Sequence, residues 1–158
     1  MHRLLLSFAV AGLIAIPAFG LNAASQDTEM RVVAASGLKW APARALPAGA
    51  QSALIAGNPA KDGAFVLRLK MPANYRIPPH HHPVDEAVTV LSGEVSVGTG
   101  DKIDTAKART MKPGDFVLLP AGVNHYAWAR KDSVIEVHST GPFGATYANP
   151  ADNPANAR

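Results

Sequence analysis

The 158-residue chain has no cysteine. That absence excludes disulfides, thiol catalysis, iron–sulfur clusters and cysteine-based zinc sites. Charged residues are scarce at 17%, and the basic ones never form a block longer than two, so the formal net charge of +3 leaves no nucleic-acid footprint. No stretch beyond the N-terminus carries a long helical period, and no internal repeat of useful length is found. No apolar run reaches the about 20 residues that a membrane-spanning helix needs. What remains is 47% hydrophobic, which argues against disorder, in a chain of a length suited to one domain. Thirteen prolines and thirteen glycines suit short strands joined by turns better than long helices.

The N-terminus follows the three-part pattern of an export signal. Met1-His2-Arg3 is positive, Leu4 to Ile16 is almost wholly apolar, and Pro17 is followed by small residues. Residues 1–20 are therefore read as a signal peptide, with cleavage after Gly20, Ala23 or Ala24. An uncleaved anchor or a core helix is the alternative. Neither a twin-arginine pair nor a lipid-accepting cysteine is present. The expected location is periplasmic or secreted, with no stable membrane insertion after cleavage.

Residues 25–50 read as an irregular lead-in with Trp40 as its one large anchor. From Gln51 short apolar runs alternate with turn residues at about ten-residue spacing, an all-β pattern. The runs are Ser52–Ala56, Ala64–Met71, Glu86–Leu91, Glu94–Gly98, Asp115–Leu119, His125–Arg130 and Ser133–His138. Breaks fall at Ile77-Pro78-Pro79, Ser92-Gly93, Lys112-Pro113-Gly114 and Pro120-Ala121-Gly122, among others. Asp101–Arg109 reads as a loop or hairpin arm. The domain spans 51–140, and 141–158 is expected as an extended tail on the surface.

Four of the six histidines carry the chemistry. Side chains alternate along a strand, so His80 and His82 share a face while His81 points away. If the register continues unbroken, Glu86, Val88 and Val90 lie on the His80 face. Imidazole nitrogens with one carboxylate suit Fe(II), Mn(II), Ni(II), Cu(II) or Zn(II), and suit Ca or Mg poorly. A His triplet by itself is equally the mark of a surface tract, and His125 with its spacing is what turns the reading towards a built site.

These residues resemble the two motifs of the cupin superfamily. In the first, Asn74 stands where the motif has glycine, then come His80-His81-His82, Glu86 and Gly93. In the second, Gly114, Pro120-Ala121-Gly122 and His125 match, and Ala129 stands where the motif has asparagine. Asn74 tolerates the left-handed turn that glycine would supply. The resemblance covers roughly Ala64–His138 and looks close to small exported single-domain cupins of unassigned activity. It implies an all-β fold, a single jelly-roll or double-stranded β-helix barrel, and one divalent transition metal held by His80, His82, Glu86 and His125. Such a ligand set looks like those of dioxygenases, oxalate-type decarboxylases and some isomerases.

Around this set, His138 is a candidate second-sphere proton shuttle if the Glu136/His138 face lines the barrel, against the alternative of a surface pair. Arg68 competes for the interior with Phe65, Leu67 and Leu69, so it is expected in solvent. Tyr126 and Trp128 are expected on the sheet face opposite His125. The inward residues Val88, Val90, Ala127 and Ala129 favour a small apolar-bodied or phenolic ligand. Two functions stay open: a metal-dependent, oxygenase-like enzyme, or a non-catalytic metal-containing binding or sensing module. A homodimer built through residues 25–50 or a sheet edge is compatible with either.

Overall fold

A computed structural model describes residues 29–157 of the chain. The signal-peptide reading of residues 1–20 lies outside the described residues. Contacts group the chain from Val32 onward into one unit. Its strands are β1 (Ala41–Pro42), β2 (Gln51–Ala56), β3 (Gly63–Met71), β4 (Arg76–His81), β5 (Glu86–Ser92) and β6 (Val95–Thr99). Then come β7 (Arg109–Met111), β8 (Phe116–Leu119), β9 (His125–Ala129), β10 (Ser133–Gly141) and β11 (Thr146–Tyr147). Three short 3-10 turns accompany them, and among the described residues no helix is long and apolar enough to cross a membrane.

The strands form two sheets, in the orders β1-β2-β3-β10-β5-β8 and β11-β4-β9-β6-β7. Every pairing is antiparallel, which gives the all-β jelly-roll architecture that the strand spacing predicts. Alternation decides what faces inward. In the first sheet Val90, Ile135 and Leu69 lie side by side across β5, β10 and β3, and Val88, Val137 and Leu67 form the next row. The second sheet answers with Ile77, Val95 and Ala129. Phe65 and Met71 are fully buried. Each such side chain contributes roughly 1.5–3 kcal/mol by leaving water.

All seven runs read from the sequence contain a strand; β1, β7 and β11 lie outside them, and β4 extends the strand read at the histidine triplet back to Arg76. β4 runs through Pro78 and Pro79, which the sequence marks as a break. The pairing of β4 with β9 shifts register between Ile77 and His80, so the ladder asks no N–H of either proline. β7 is the returning arm of the Asp101–Arg109 excursion.

The two ends of the domain depart from the expected irregular segments. β1 pairs with β2, and Ala43 and Leu46 pack on the core. Beyond Gly141 the chain is not a surface coil: β11 pairs with β4, Tyr147 is buried, and Phe143 packs against the core. The sequence hid this because a single aromatic every fourth residue has no strand period. Asn149 and Asn153, the first residues of the two Asn-Pro steps, accept bonds from Ala151 N and Ala155 N and so start two short 3-10 turns.

Candidate metal centre

Strand pairing brings the histidines together. His80 on β4 sits directly opposite His125 on β9. His82 follows β4 by one residue on the same face as His80, and Glu86 opens β5. All four are buried, between 3% and 8% exposed. One ring nitrogen from each of His80, His82 and His125 lies within 4.8 Å of the others, so the group can hold a metal ion.

Hydrogen bonds fix which nitrogen each ring offers. Nδ1 of His80, His82 and His125 meets Pro78 O at 2.8 Å, Gly144 O at 2.7 Å and Val123 O at 2.9 Å. A carbonyl only accepts, so each Nδ1 carries the proton and each Nε2 keeps its lone pair. Nε2 of His82 and of His125 is buried with no hydrogen-bond partner. Glu86 Oε2 stands 3.5 Å from the first and 3.4 Å from the second. Buried lone pairs facing a carboxylate, with backbone acceptors behind them, are the donor arrangement of a metal site. The residues present therefore fit a metal ion.

The electrostatics agree. Burial and the neighbouring His125 push His80 down to about 4, so it is a neutral donor at pH 7. Burial alone would raise Glu86, but the facing His125 and His82 outweigh it and hold the carboxyl down at about 2.

The cluster opens into a cavity of about 250 Å³. Val88, Val90, Ile135, Val137, Leu67 and Ala127 are among the apolar residues that line it, which agrees with the apolar interior expected from the sequence. Ala129 is fully buried but stands in the core rather than on the cavity wall. The sequence reading missed the roof, which is built from Ala43–Leu46 on one side and Phe143–Ala145 on the other. Tyr147 ties the two sides together by donating its hydroxyl to Ala45 O at 2.8 Å, and Tyr75 donates to Pro47 O. Two tyrosines with buried rings in turn-rich segments were the only available signal.

Other candidates fall outside the cavity. His138 is exposed on the outer face of β10 and bonds Glu136 at 3.1 Å, while Ile135 and Val137 take the inward positions. A shuttle role for His138 beside the metal is thereby corrected: alternation along β10 gives the inward face to the apolar residues. Arg68 pairs with Glu136 at 2.7 Å on the same outer face. His81 turns away and bonds Asn124 Oδ1 at 2.8 Å. Tyr126 and Trp128 lie on the face opposite His125, stacked 6.4 Å apart, and the Tyr126 hydroxyl bonds the backbone of Asp104.

Comparison with known proteins places this geometry. The cupin domain family matches residues 67–141. No curated protein matches the chain. Among solved structures it is similar to an RmlC-like cupin from Shewanella frigidimarina NCIMB 400, with 13% identity, TM-score 0.57, and coverage of 71% of this chain and 91% of that one. It is also similar to the polyketide cyclase RemF from Streptomyces resistomycificus, with 16% identity, TM-score 0.63, and coverage of 80% and 90%. A proposed acetylacetone dioxygenase from Methylibium petroleiphilum PM1 shares 19% identity, TM-score 0.62, and coverage of 82% and 88%. At these identities the likeness speaks for the fold. Family match, fold and histidine placement converge: residues 67–141 of this chain are a cupin domain.

Proposed function

We propose that this cupin is an exported, mononuclear-metal enzyme of oxygenase-like chemistry acting on a small apolar-bodied or phenolic molecule. The observation that carries the reading is the convergence of unpartnered Nε2 atoms and the Glu86 carboxylate at an apolar cavity. His80, His82, Glu86 and His125 are the proposed ligands. When bound, the metal supplies Lewis-acid activation and a template for the substrate. With four protein ligands a six-coordinate ion would keep two positions for other molecules, and a four-coordinate zinc would keep none.

The chain's own part is positional. Val88, Val137 and Leu67 hold the apolar body and exclude water. Glu86, held as a carboxylate, could accept a proton at Oε2. The proposed acetylacetone dioxygenase among its structural relatives supports the reaction class only as a related fold.

A second reading, a metal-containing binding or sensing module, has its own support. Apart from the proposed ligands, Arg44 is the one ionisable side chain that lines the cavity among the described residues. Elemental analysis of exported protein, prepared without a His-tag, separates the two. About one equivalent of iron, manganese, copper or nickel, followed by oxygen uptake with small phenolics, supports the enzyme. Saturated zinc or no metal supports the module. The same preparation tests export: its N-terminus should fall between Leu21 and Ser25, and an intact Met1 would contradict a cleaved signal.

A further inference from the structure

The three histidines are not oriented by the same kind of partner. His80 and His125 each donate Nδ1–H to the carbonyl two residues earlier, so their own strands set their rings. His82 donates to Gly144 O, 62 residues away in the chain. The Phe143 ring stacks on the same imidazole, with centroids 4.2 Å apart and 23° between the planes. Phe143 also meets the fully buried Phe65 edge-on at 5.1 Å.

The segment that carries Phe143 is fastened on both sides. Its N–H donates to Pro59 O at 2.7 Å. Four residues on, Tyr147 pairs with His80, and Thr146 pairs with His81. Just before it, Gly141 lies so close to the 58–61 loop that an added Cβ would stand 2.1 Å from Lys61 O. Phe143, Gly144 and Ala145 line the cavity, and the family match ends at residue 141, so this arm lies beyond it.

An imidazole turns about a broad, roughly two-fold χ2 torsion. A ring flip would put Cε1 where Nε2 now points. For His82 the hydrogen bond that opposes that flip comes from the arm. We propose that Phe143 is the positioning residue for His82: its ring clamps one face of the imidazole and its anchorage on Phe65 keeps Gly144 O in place. This rests on the reading of His82 as a metal ligand. The arm thus makes one ligand of the set dependent on the C-terminal segment, and the cavity contents touch the same residue that aligns it.

The test is a Co(II) titration of the metal-stripped full chain as wild type, Phe143→Ala, Phe143→Leu and Phe116→Ala. Phe116 is 62% exposed on β8, away from the cavity, and controls for loss of a phenyl ring. Three quantities are read: cobalt affinity, the visible cobalt absorption, and the NMR signal of the His82 Nδ1–H in metal-free protein. Phe143→Ala should weaken cobalt on the order of tenfold, as loss of a ligand's outer partner does. It should also alter the absorption and abolish the Nδ1–H signal. Phe143→Leu should restore most of the affinity and the signal, and Phe116→Ala should match wild type throughout. A Phe143→Ala protein with lowered Tm but wild-type cobalt absorption and an intact Nδ1–H signal would overturn the proposal. If wild type takes up no cobalt, the ligand reading fails by itself. The Nδ1–H signal then decides the positioning role, its loss in Phe143→Ala supporting the role and its persistence overturning it.

Discussion

Glu86 Oε2 lies 3.4 Å from His125 Nε2 although the proton of that ring sits on Nδ1, bound to Val123 O. Two electron-rich atoms are held face to face in a buried site, and a cation between them relieves the conflict. His80→Ala and His125→Ala should therefore lose stoichiometric metal. Glu86→Gln should weaken metal by more than the roughly 10–100-fold cost of losing an outer partner, because it removes the charge itself. Metal content after dialysis checks all three, and unchanged content in any would remove that residue from the ligand set.

His81→Ala provides the opposite expectation. Its ring bonds Asn124 Oδ1, and Asn124 in turn donates to Asp101. Metal content should equal wild type. Stability should fall by about 1 kcal/mol for the lost hydrogen bond. A large loss of metal would mean that the rings of the triplet exchange places in solution.

The roof of the cavity should loosen at high pH. Burial and the nearby negative charge of Asp152 push the Tyr147 hydroxyl up to about 12, above its ordinary 10. Between those values the unfolded chain has lost the Tyr147 proton while the folded chain keeps it. Folding stability then falls as pH rises from 10 towards 12, and this contribution is fully present below 10. Tyr147→Phe lacks the bond to Ala45 O and should be less stable than wild type at pH 8 by about 1 kcal/mol. The gap should narrow above pH 10, because only wild type carries the titrating group. Denaturant midpoints of both proteins from pH 8 to 11 check this; a constant gap would mean that Tyr147 is not held protonated by the fold.

Much of this was legible before any coordinates. Strand alternation put His80 and His82 on one face, but the unbroken register that would carry Glu86 and Val88 with them is not found: the strand ends at His81, and β5 belongs to the other sheet, whose inner face turns Glu86 back towards the histidines. Alternation also placed Phe65, Leu67 and Leu69 inward on β3, with Arg68 left outside. Asn74, read as a left-handed turn residue, has φ of 65°. What stayed hidden depends on contacts distant in sequence. The strand through Pro78-Pro79 exists because β9 meets it across a register shift, and no local pattern encodes that. Phe143 and Tyr147 read as tail residues because their partners, His82 and Ala45, lie 61 and 102 residues away. His138 looked available for catalysis only while the inward face of β10 was undecided.

Two of the three motif glycines, Gly93 and Gly122, should respond differently to the same substitution. Both have positive φ, 81° and 73°, a region that costs a residue with a Cβ about 1–2 kcal/mol. At Gly122 an added Cβ meets nothing within 4 Å, so Gly122→Ala should lose only that backbone cost. At Gly93 the Cβ would stand 2.3 Å from both Asp132 O and Ser133 Oγ. Ser133 cannot retreat freely, since its hydroxyl donates to Lys131 O at 2.7 Å and accepts from Glu94 N at 3.0 Å. The backbone of Asp132 is no more yielding, because β10 begins at the next residue. Gly93→Ala should thus add an overpacking cost of about 1–3 kcal/mol to the backbone one. Urea denaturation of the two variants compares them directly. Equal losses would mean that the turn at Gly93 opens to admit a methyl group, and that its glycine serves backbone conformation alone.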